Sequence, residues 1–181
     1  MEKKIVLVSL FAGVIAVLGL APKVMLASGV PITAQSMGIM LCGTVLGAKR
    51  GALAVLLFIA LTALGLPLLS GGRGGLGIFA SPSVGFIVGF PLAAYVAGLI
   101  TTKLKMVNIF YSSLLGAIIG GIFVLYIPGI IGMSIILGKS ISEAMVIALI
   151  YLPGDLIKAF LCATLTQTLF KLRPADVLSR S

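Results

Sequence analysis

Six long apolar runs constrain what this chain can fold into more than any other feature. They cover about residues 5–21, 32–47, 52–66, 84–100, 109–127 and 144–169 of the 181 residues. The chain is 60% hydrophobic and only 9% charged, far from the composition of a soluble domain. Each run is long enough to cross or nearly cross a bilayer as a helix. We therefore expect an all-α integral membrane protein, with one domain (1–181) of six transmembrane helices and an apolar loop over 128–142.

The cations predict how these helices are oriented. Six spans place both termini on one side, and nine Lys and Arg residues fall on that side: Lys3, Lys4, Lys49, Arg50, Lys103, Lys105, Lys171, Arg173 and Arg180. Only Lys23, Arg73 and Lys139 fall on the other side. By the positive-inside rule both termini are cytoplasmic. No convincing cleavage site follows the first run, so we expect it to remain as a helix.

The last apolar run contains a carboxylate and an ammonium, Asp155 and Lys158. A charge in the middle of a membrane helix costs about 2.5–3.5 kcal/mol on insertion scales, so such residues are usually paired or functional. At 100° per residue both share one helix face with Tyr151 and Cys162. Pro153 removes a backbone donor and predicts a kink just before Asp155. The stretch is either a structural ion pair or a ligand site inside the bundle, and the general behaviour of intramembrane charges favours the site.

A glycine-rich loop at 70–77 is predicted to face outward, above this charged face. Gly72, Gly74 and Gly77 satisfy G-x-G-x-x-G, but no β-strand precedes them, so a dinucleotide site is rejected. Glycines let backbone amides approach a ligand closely. Arg73 in their midst is either a solvated charge or a fork for a carboxylate or phosphate.

Two weaker signals lie in the first two runs. Ala12 and Ala16 form a small-xxx-small pair, which allows close helix approach in lipid but is common in membrane helices. Gln35 offers two donors and an acceptor just inside the second run, although it is equally typical of an interfacial residue that faces water.

Several function classes are excluded by what the sequence lacks. The net charge of +9 is scattered in pairs without aromatic interleaving, which argues against nucleic-acid binding. There is no His, and Cys42 and Cys162 lie in apolar runs, so we expect no metal site and no disulfide. No catalytic set and no P-loop are present, so the chain is not expected to be an enzyme or to hydrolyse ATP. Capture of a small amphipathic ligand from outside is the better hypothesis.

A set of motifs in the chain resembles the BioY family, the biotin-specific S components of energy-coupling factor (ECF) transporters. The motifs cover about half the chain, in the family's order: 29–35 (GVPITAQ), 46–53 (LGAKRGAL), 64–67 (LGLP), 71–77 (GGRGGLG) with Pro82, 89–94 (GFPLAA) and 151–158 (YLPGDLIK). The resemblance implies a six-helix, multi-pass subunit in a bacterial or archaeal cytoplasmic membrane. It also implies a ligand, biotin, and partners, a transmembrane coupling protein with two ATPase subunits. No cofactor is implied.

The resemblance also assigns roles to residues. Asp155 would accept from the ureido N–H groups, while Lys158 would donate to the ureido oxygen or keep Asp155 ionised. Arg73 would bind the valerate carboxylate, although the reverse orientation of the ligand stays open. Supporting polar partners would be Gln35, Thr33, Ser83 and the amides of Gly72 and Gly74, and the apolar middle would rest on Phe79, Phe86 and Tyr151. Phe86 is expected to pack without hydrogen bonding. Ala12 and Ala16 would dock the first helix on the coupling protein.

Three alternatives remain at this point. The chain could be an S component for another vitamin, such as thiamine or riboflavin, but the absence of Trp and the presence of only four Tyr give aromatic ring systems little support. It could be a small membrane enzyme with Asp155 as its base. It could also be a structural subunit whose ion pair fixes helix register.

Overall fold

Helices make up most of the chain. The computed structural model describes residues 2–25 and 29–180, so Met1, Ser181 and residues 26–28, between the first two predicted spans, lie outside the described residues. The helices are α1 (Glu2–Leu18), α2 (Gln35–Leu46), α3 (Ala48–Ala63), α4 (Val84–Lys103), α5 (Ile109–Ile118), α6 (Leu125–Leu137), α7 (Ile141–Leu149) and α8 (Leu152–Leu172). Short 3₁₀ turns form at Leu76–Ala80 and Pro174–Asp176, and strands β1 (Val24–Met25) and β2 (Pro31–Ile32) form an antiparallel ladder.

Helix α2 lies at the centre of the bundle. Nearly all its residues are buried, because α1, α3, α4 and α8 all pack around it. Small residues let the backbones approach: a Cβ on Gly43 would collide with the carbonyl oxygen of Ala94 in α4. The predicted start of the third span, at residue 52, is four residues too late, because α3 begins at Ala48. Gly47 alone makes the turn, at φ +80°, and Lys49 already belongs to the first turn of α3.

The fifth apolar run is longer than predicted. Helix α5 continues through a π-helical turn (Ile119–Val124) into α6, and the whole helix extends over Ile109–Leu137. The prediction of a loop over 128–142 is therefore wrong for most of its length. Pro128 lies inside the helix, where its ring packs over Gly89 of α4; a Cβ at Gly89 would collide with that ring, and a Cβ at Gly85 with the Pro128 carbonyl. Two glycines on the neighbouring helix thus make room for a proline that the sequence suggests as a helix end.

The last apolar run is bent. Helices α7 and α8 meet at 54°, with the break at Ile150 and Tyr151. Pro153 falls in the first turn of α8, where its missing N–H has no helical partner to lose. The predicted kink before Asp155 is confirmed, and it takes the form of a helix start.

Within the described residues, the structure contains two helices long and apolar enough to cross a membrane, Val84–Lys103 and Ile109–Leu137. The bent pair α7 and α8 qualifies together as a third. Helix α2 has 12 residues and so is about 18 Å long, well short of a bilayer's hydrocarbon core of about 30 Å. The predicted second span, 32–47, is therefore helical only from Gln35 onward.

One end of the bundle, here called the basal end, is tied together by the C-terminal residues. Lys3 of α1 pairs with Asp176 at 2.7 Å. The Ser179 N–H donates to the Val45 carbonyl at the end of α2, and the Arg180 guanidinium donates to carbonyls of the α4–α5 loop, including Leu104. The N-terminus, the α2–α3 turn, the α4–α5 loop and the C-terminus thus meet at the basal end.

Candidate ligand-binding site

A cavity opens among six segments of the chain, which are the β2 region, the start of α2, the glycine-rich loop, the start of α4, the start of α6 and the α7–α8 bend. Its lining combines apolar walls with one acidic and two basic side chains. The lining residues are Val30, Pro31, Ile32, Thr33, Gln35, Ser36, Leu69, Arg73, Ser83, Phe86, Ile87, Phe90, Leu125, Tyr151, Asp155 and Lys158. Apolar walls with few convergent polar groups are typical of small-molecule sites.

Asp155 and Lys158 form an ion pair at one wall of this cavity. The Lys158 Nζ lies 2.9 Å from Asp155 Oδ1, and the two side chains are only 16% and 8% exposed. Ser36 of α2 closes a triangle: its hydroxyl accepts from Lys158 Nζ at 3.0 Å and donates to Asp155 Oδ1 at 3.3 Å. The charged residues predicted to share one face therefore do so, and α2 supplies a hydroxyl between them.

Tyr126 contacts the same carboxylate from another helix. Its hydroxyl donates to Asp155 Oδ2 at 2.8 Å, and its ring makes an edge contact with Phe86 at a centroid distance of 6.2 Å. Sequence reasoning missed this residue. It lies just after the π-helical turn, and nothing in the local pattern signals such a turn.

The apolar wall is built around Phe86. Its ring also meets that of Tyr151 edge-on, at a centroid distance of 6.2 Å, and Phe90 and Leu125 line the cavity nearby. Phe86 therefore packs among aromatic rings, as predicted. The Tyr151 hydroxyl donates to the Val30 carbonyl at 3.1 Å, which ties the β2 region to the α7–α8 bend.

Ser83 carries a buried hydroxyl that has no hydrogen-bond partner among the described residues. It occupies the position before α4, where a serine usually caps the helix, but its side chain makes no capping bond. An unpaired buried hydroxyl costs about 1–3 kcal/mol, so native structures rarely leave one without a partner. Ser83 lines the cavity, so its hydroxyl is open to a polar group bound there.

Arg73 lies at the cavity's edge in the glycine-rich loop. Its Nε donates to the carbonyl of Ser70 at 3.4 Å, and no acidic side chain of the described residues forms an ion pair with it. The terminal guanidinium nitrogens thus remain available to an anionic group.

Three predicted site residues do not line the cavity. Gly72 is exposed, with φ +71°, and Gly74 packs so closely on Leu66 that a Cβ would collide with that carbonyl oxygen. Phe79 packs on the core from the 3₁₀ turn Leu76–Ala80. For Gly74, the need for glycine is explained by loop packing alone.

Gln35 lines the cavity, but its polar atoms are used within the protein. Its Nε2 donates to the carbonyls of Ile15 and Leu68, at 3.3 and 3.0 Å, and its Oε1 accepts from the Ser70 N–H at 3.0 Å. Thr33 accepts from the Gln35 N–H at 3.3 Å. Gln35 therefore ties α1 and the glycine-rich loop to α2 and is not an interfacial residue facing water, and one acceptor position on its Oε1 remains.

The predicted docking pair on α1 is largely turned inward. Ala12 is 4% exposed within the chain's own core, and Ala16 is half-buried. The outer face of α1 instead carries Ser9 and Gly13, and a Cβ at Gly13 would meet nothing within 4 Å. The structure thus does not present Ala12 to a partner.

Cys42 and Cys162 are both buried and free. No cluster of metal-ligating side chains occurs in the part of the chain that the structure describes.

Known proteins resemble this chain over nearly its whole length. Residues 2–175 match the model of the BioY family. The chain is 44% identical to the biotin transporter BioY of Rhodobacter capsulatus, over 99% of this chain and 100% of that protein. It is 48% identical to the biotin transporter BioY of Rhizobium etli, over 90% of each chain.

A solved structure agrees with these sequence relatives. The crystal structure of the S-component for biotin from an ECF-type ABC transporter is 30% identical, covers 94% of this chain and 92% of its own, and superposes with a TM-score of 0.89. The relatives are transporters by name, in agreement with the expectation that the chain is not an enzyme. On its sequence and its fold alike, this chain belongs to the BioY family.

Proposed function

We propose that this chain captures biotin from outside the cell and is the substrate-binding membrane subunit of an ECF-type transporter. The single observation that carries the proposal is the Asp155–Lys158 pair, buried in the wall of a cavity that also contains Arg73. Biotin has a cyclic urea, an apolar ring and a terminal carboxylate. The urea matches the Asp155–Lys158 ion pair, the ring matches the aromatic wall around Phe86, and the carboxylate matches the guanidinium of Arg73. Membership of the BioY family supports this assignment.

The ligand lies with its ureido head at Asp155 and Lys158 and its carboxylate at Arg73. Its thiophane ring rests on Phe86 and its aliphatic neighbours. The unpaired hydroxyl of Ser83 gains a ligand partner. Thr33 and Tyr151 complete the wall, while Gln35 supports the site by holding the glycine-rich loop.

The six apolar runs cross the cytoplasmic membrane of a bacterium or archaeon six times, with both termini in the cytoplasm. Nine cations fall on the side of the termini in that topology and three on the other. Contacts at the basal end support the arrangement, since Lys3, Asp176 and Arg180 join the termini to the α4–α5 loop. The cavity then faces outward.

Uptake is driven by a separate module of a coupling protein and two ATPases, because the sequence contains no P-loop. The outer face of α1 docks on the coupling protein. Gly13 and the half-buried Ala16 allow close helix approach there, as small residues do in lipid.

Titration of biotin into the detergent-purified protein tests the proposal. Wild type and the control Lys139→Met, which removes an exposed cation that does not line the cavity, should bind tightly, and Asp155→Asn should not. Thiamine and riboflavin should not compete. Absence of biotin binding by the wild type, or equal binding by Asp155→Asn, would refute this function.

A further inference from the structure

The wall residues Asp155 and Lys158 have few hydrogen-bonding positions left for a ligand. An ionised carboxylate accepts about four hydrogen bonds, two on each oxygen. Oδ1 already accepts from Lys158 at 2.9 Å and Ser36 at 3.3 Å, while Oδ2 accepts from Tyr126 at 2.8 Å. One acceptor position remains, and it is on Oδ2.

The same count applies to Lys158. Its ammonium has three N–H donors. Asp155 Oδ1 and Ser36 Oγ occupy two of them, at 2.9 and 3.0 Å. One donor remains, so the pair offers a ligand one acceptor beside one donor.

Tyr126 fixes which acceptor remains, although it does not line the cavity. Its ring is held against Phe86, and it lies two residues after the end of the π-helical turn Ile119–Val124. Such a turn changes which side of the helix the later residues occupy, and Tyr126 is buried while its neighbour Ile127 is 63% exposed. The helix irregularity thus directs one hydroxyl at one carboxylate oxygen.

We infer that Tyr126 is a positioning residue that limits Asp155 to a single ligand N–H, so that Asp155 and Lys158 together read one N–H/C=O edge of a cyclic urea or lactam. The inference rests on the proposed function and refines it. The second ureido N–H is not bound by Asp155 and finds its acceptor elsewhere in the cavity, where the Ser83 oxygen is unpaired.

A double cycle between protein and ligand tests this role. Three ligands are titrated into the wild type and into Tyr126→Phe. They are biotin and two analogues, each with a different ureido N–H replaced by N–methyl. Tyr126→Phe should bind biotin about 10- to 100-fold more weakly, as expected for loss of a hydrogen bond to a charged group. For one of the two N–methyl analogues, the loss of affinity relative to biotin should be several-fold smaller in Tyr126→Phe than in the wild type. The other analogue should show the same penalty in both proteins.

Controls separate positioning from a general structural effect. Tyr111→Phe removes the hydroxyl of an exposed tyrosine and should change neither affinity nor the cycle. An analogue altered only at the thiophane sulfur should lose the same factor in the wild type and in Tyr126→Phe. If Tyr126→Phe does not fold, Ser36→Ala tests the same count of acceptor positions on the other oxygen of Asp155: it frees one on Oδ1, so the N–methyl analogues should couple to this variant, and an absence of coupling would overturn the inference.

The outcomes are distinct. If the wild type binds biotin and neither N–methyl analogue couples to the variant, the positioning role is refuted and the proposed function survives. If the wild type does not bind biotin, the proposed function itself fails. Equal coupling for both nitrogens would mean that Asp155 reads both N–H groups, which also overturns the inference.

Discussion

The side-chain amide of Gln35 accepts a 3.0 Å hydrogen bond from the backbone N–H of Ser70, 35 residues further along the chain. Together with its donations to Ile15 and Leu68, this bond joins α1, α2 and the loop that carries Arg73. The geometry of the cavity's edge therefore depends on one buried amide.

Gln35→Met should lower stability more than binding. It removes three hydrogen bonds of about 1 kcal/mol each and leaves buried backbone groups without partners, so the melting temperature should fall by several degrees. Biotin affinity should fall less than tenfold, because three of the four hydrogen-bonding positions of the amide are already used within the protein. A thermal-shift assay and a titration on the same sample measure both, and Gln167→Met, whose bond to Asn108 is exposed, is the matched control. A hundredfold loss of affinity without loss of stability would instead make Gln35 a ligand contact.

The two interpretations of Asp155 and Lys158 are separated by comparing single and double variants. Breaking a buried ion pair from one side leaves an uncompensated charge and costs about 3–5 kcal/mol, whereas replacing both charges is often neutral. Asp155→Asn and Lys158→Met should therefore each lower the melting temperature, and the double variant should recover much of it. Biotin binding should be lost in all three. A stable double variant that still binds would show that the pair is only structural.

Arg73→Met should affect only ligands that have a carboxylate. Loss of the guanidinium should weaken biotin binding about 10- to 100-fold, the range for a hydrogen bond to a charged group. The neutral methyl ester of biotin should bind the wild type and Arg73→Met equally, and Lys139→Met should match the wild type for both ligands. If the ester is also weakened in Arg73→Met, the ligand lies in the reverse orientation or Arg73 acts through the loop.

Two substitutions on α1 should fail for different reasons. Gly13→Leu places bulk on the outer face, so biotin binding should persist while assembly with the coupling protein and uptake are lost. Ala12→Leu overfills the chain's own core, where extra methylenes typically cost about 1–3 kcal/mol, and should lower the melting temperature of the isolated subunit. Co-purification and uptake assays, with Ile135→Ala as an exposed control on another helix, measure the difference. Uptake by Gly13→Leu at the wild-type rate would place docking elsewhere.

The tie between Lys3 and Asp176 should weaken in acid. The hydrogen bond from Lys3, with the charges of Lys3 and Arg173, holds the pKa of Asp176 below its usual value. A carboxyl with a lowered folded pKa contributes stability above its unfolded pKa, about 3.9, and loses it as the pH falls through the folded value. Between pH 5 and pH 3, melting temperature should therefore fall more in the wild type than in Asp176→Asn, and added salt should reduce the difference. Parallel pH curves would mean that the pair contributes nothing.

Much of this organisation is predictable from local sequence. The apolar runs locate the helices, Pro153 predicts the bend, and spacing places Asp155 and Lys158 on one face, because each of these depends on properties of neighbouring residues. Short motifs also identify the family, since they preserve residues in a fixed order.

The predictions from sequence fail where a residue's role depends on contacts between distant segments. Pro128 packs inside the bundle because Gly85 and Gly89 lie opposite it. Three of the four hydrogen-bonding positions of the Gln35 amide are filled because α1 and residues 68–70 fold against it. Tyr126 reaches Asp155 from a helix that contains a π-helical turn just before it. No pattern within the fifth run indicates which acceptor the Tyr126 hydroxyl will bind.

The bend between α7 and α8 also bears on how the chain enters a membrane. Because α8 begins at Leu152, Asp155 lies in its first turn, near backbone N–H groups that have no helical partner and that favour negative charge. Lys158 follows one turn later and neutralises it within the same segment, at 2.9 Å. During biosynthesis this segment can therefore pass into the bilayer as an electrically neutral unit, before Ser36 and Tyr126 close around it.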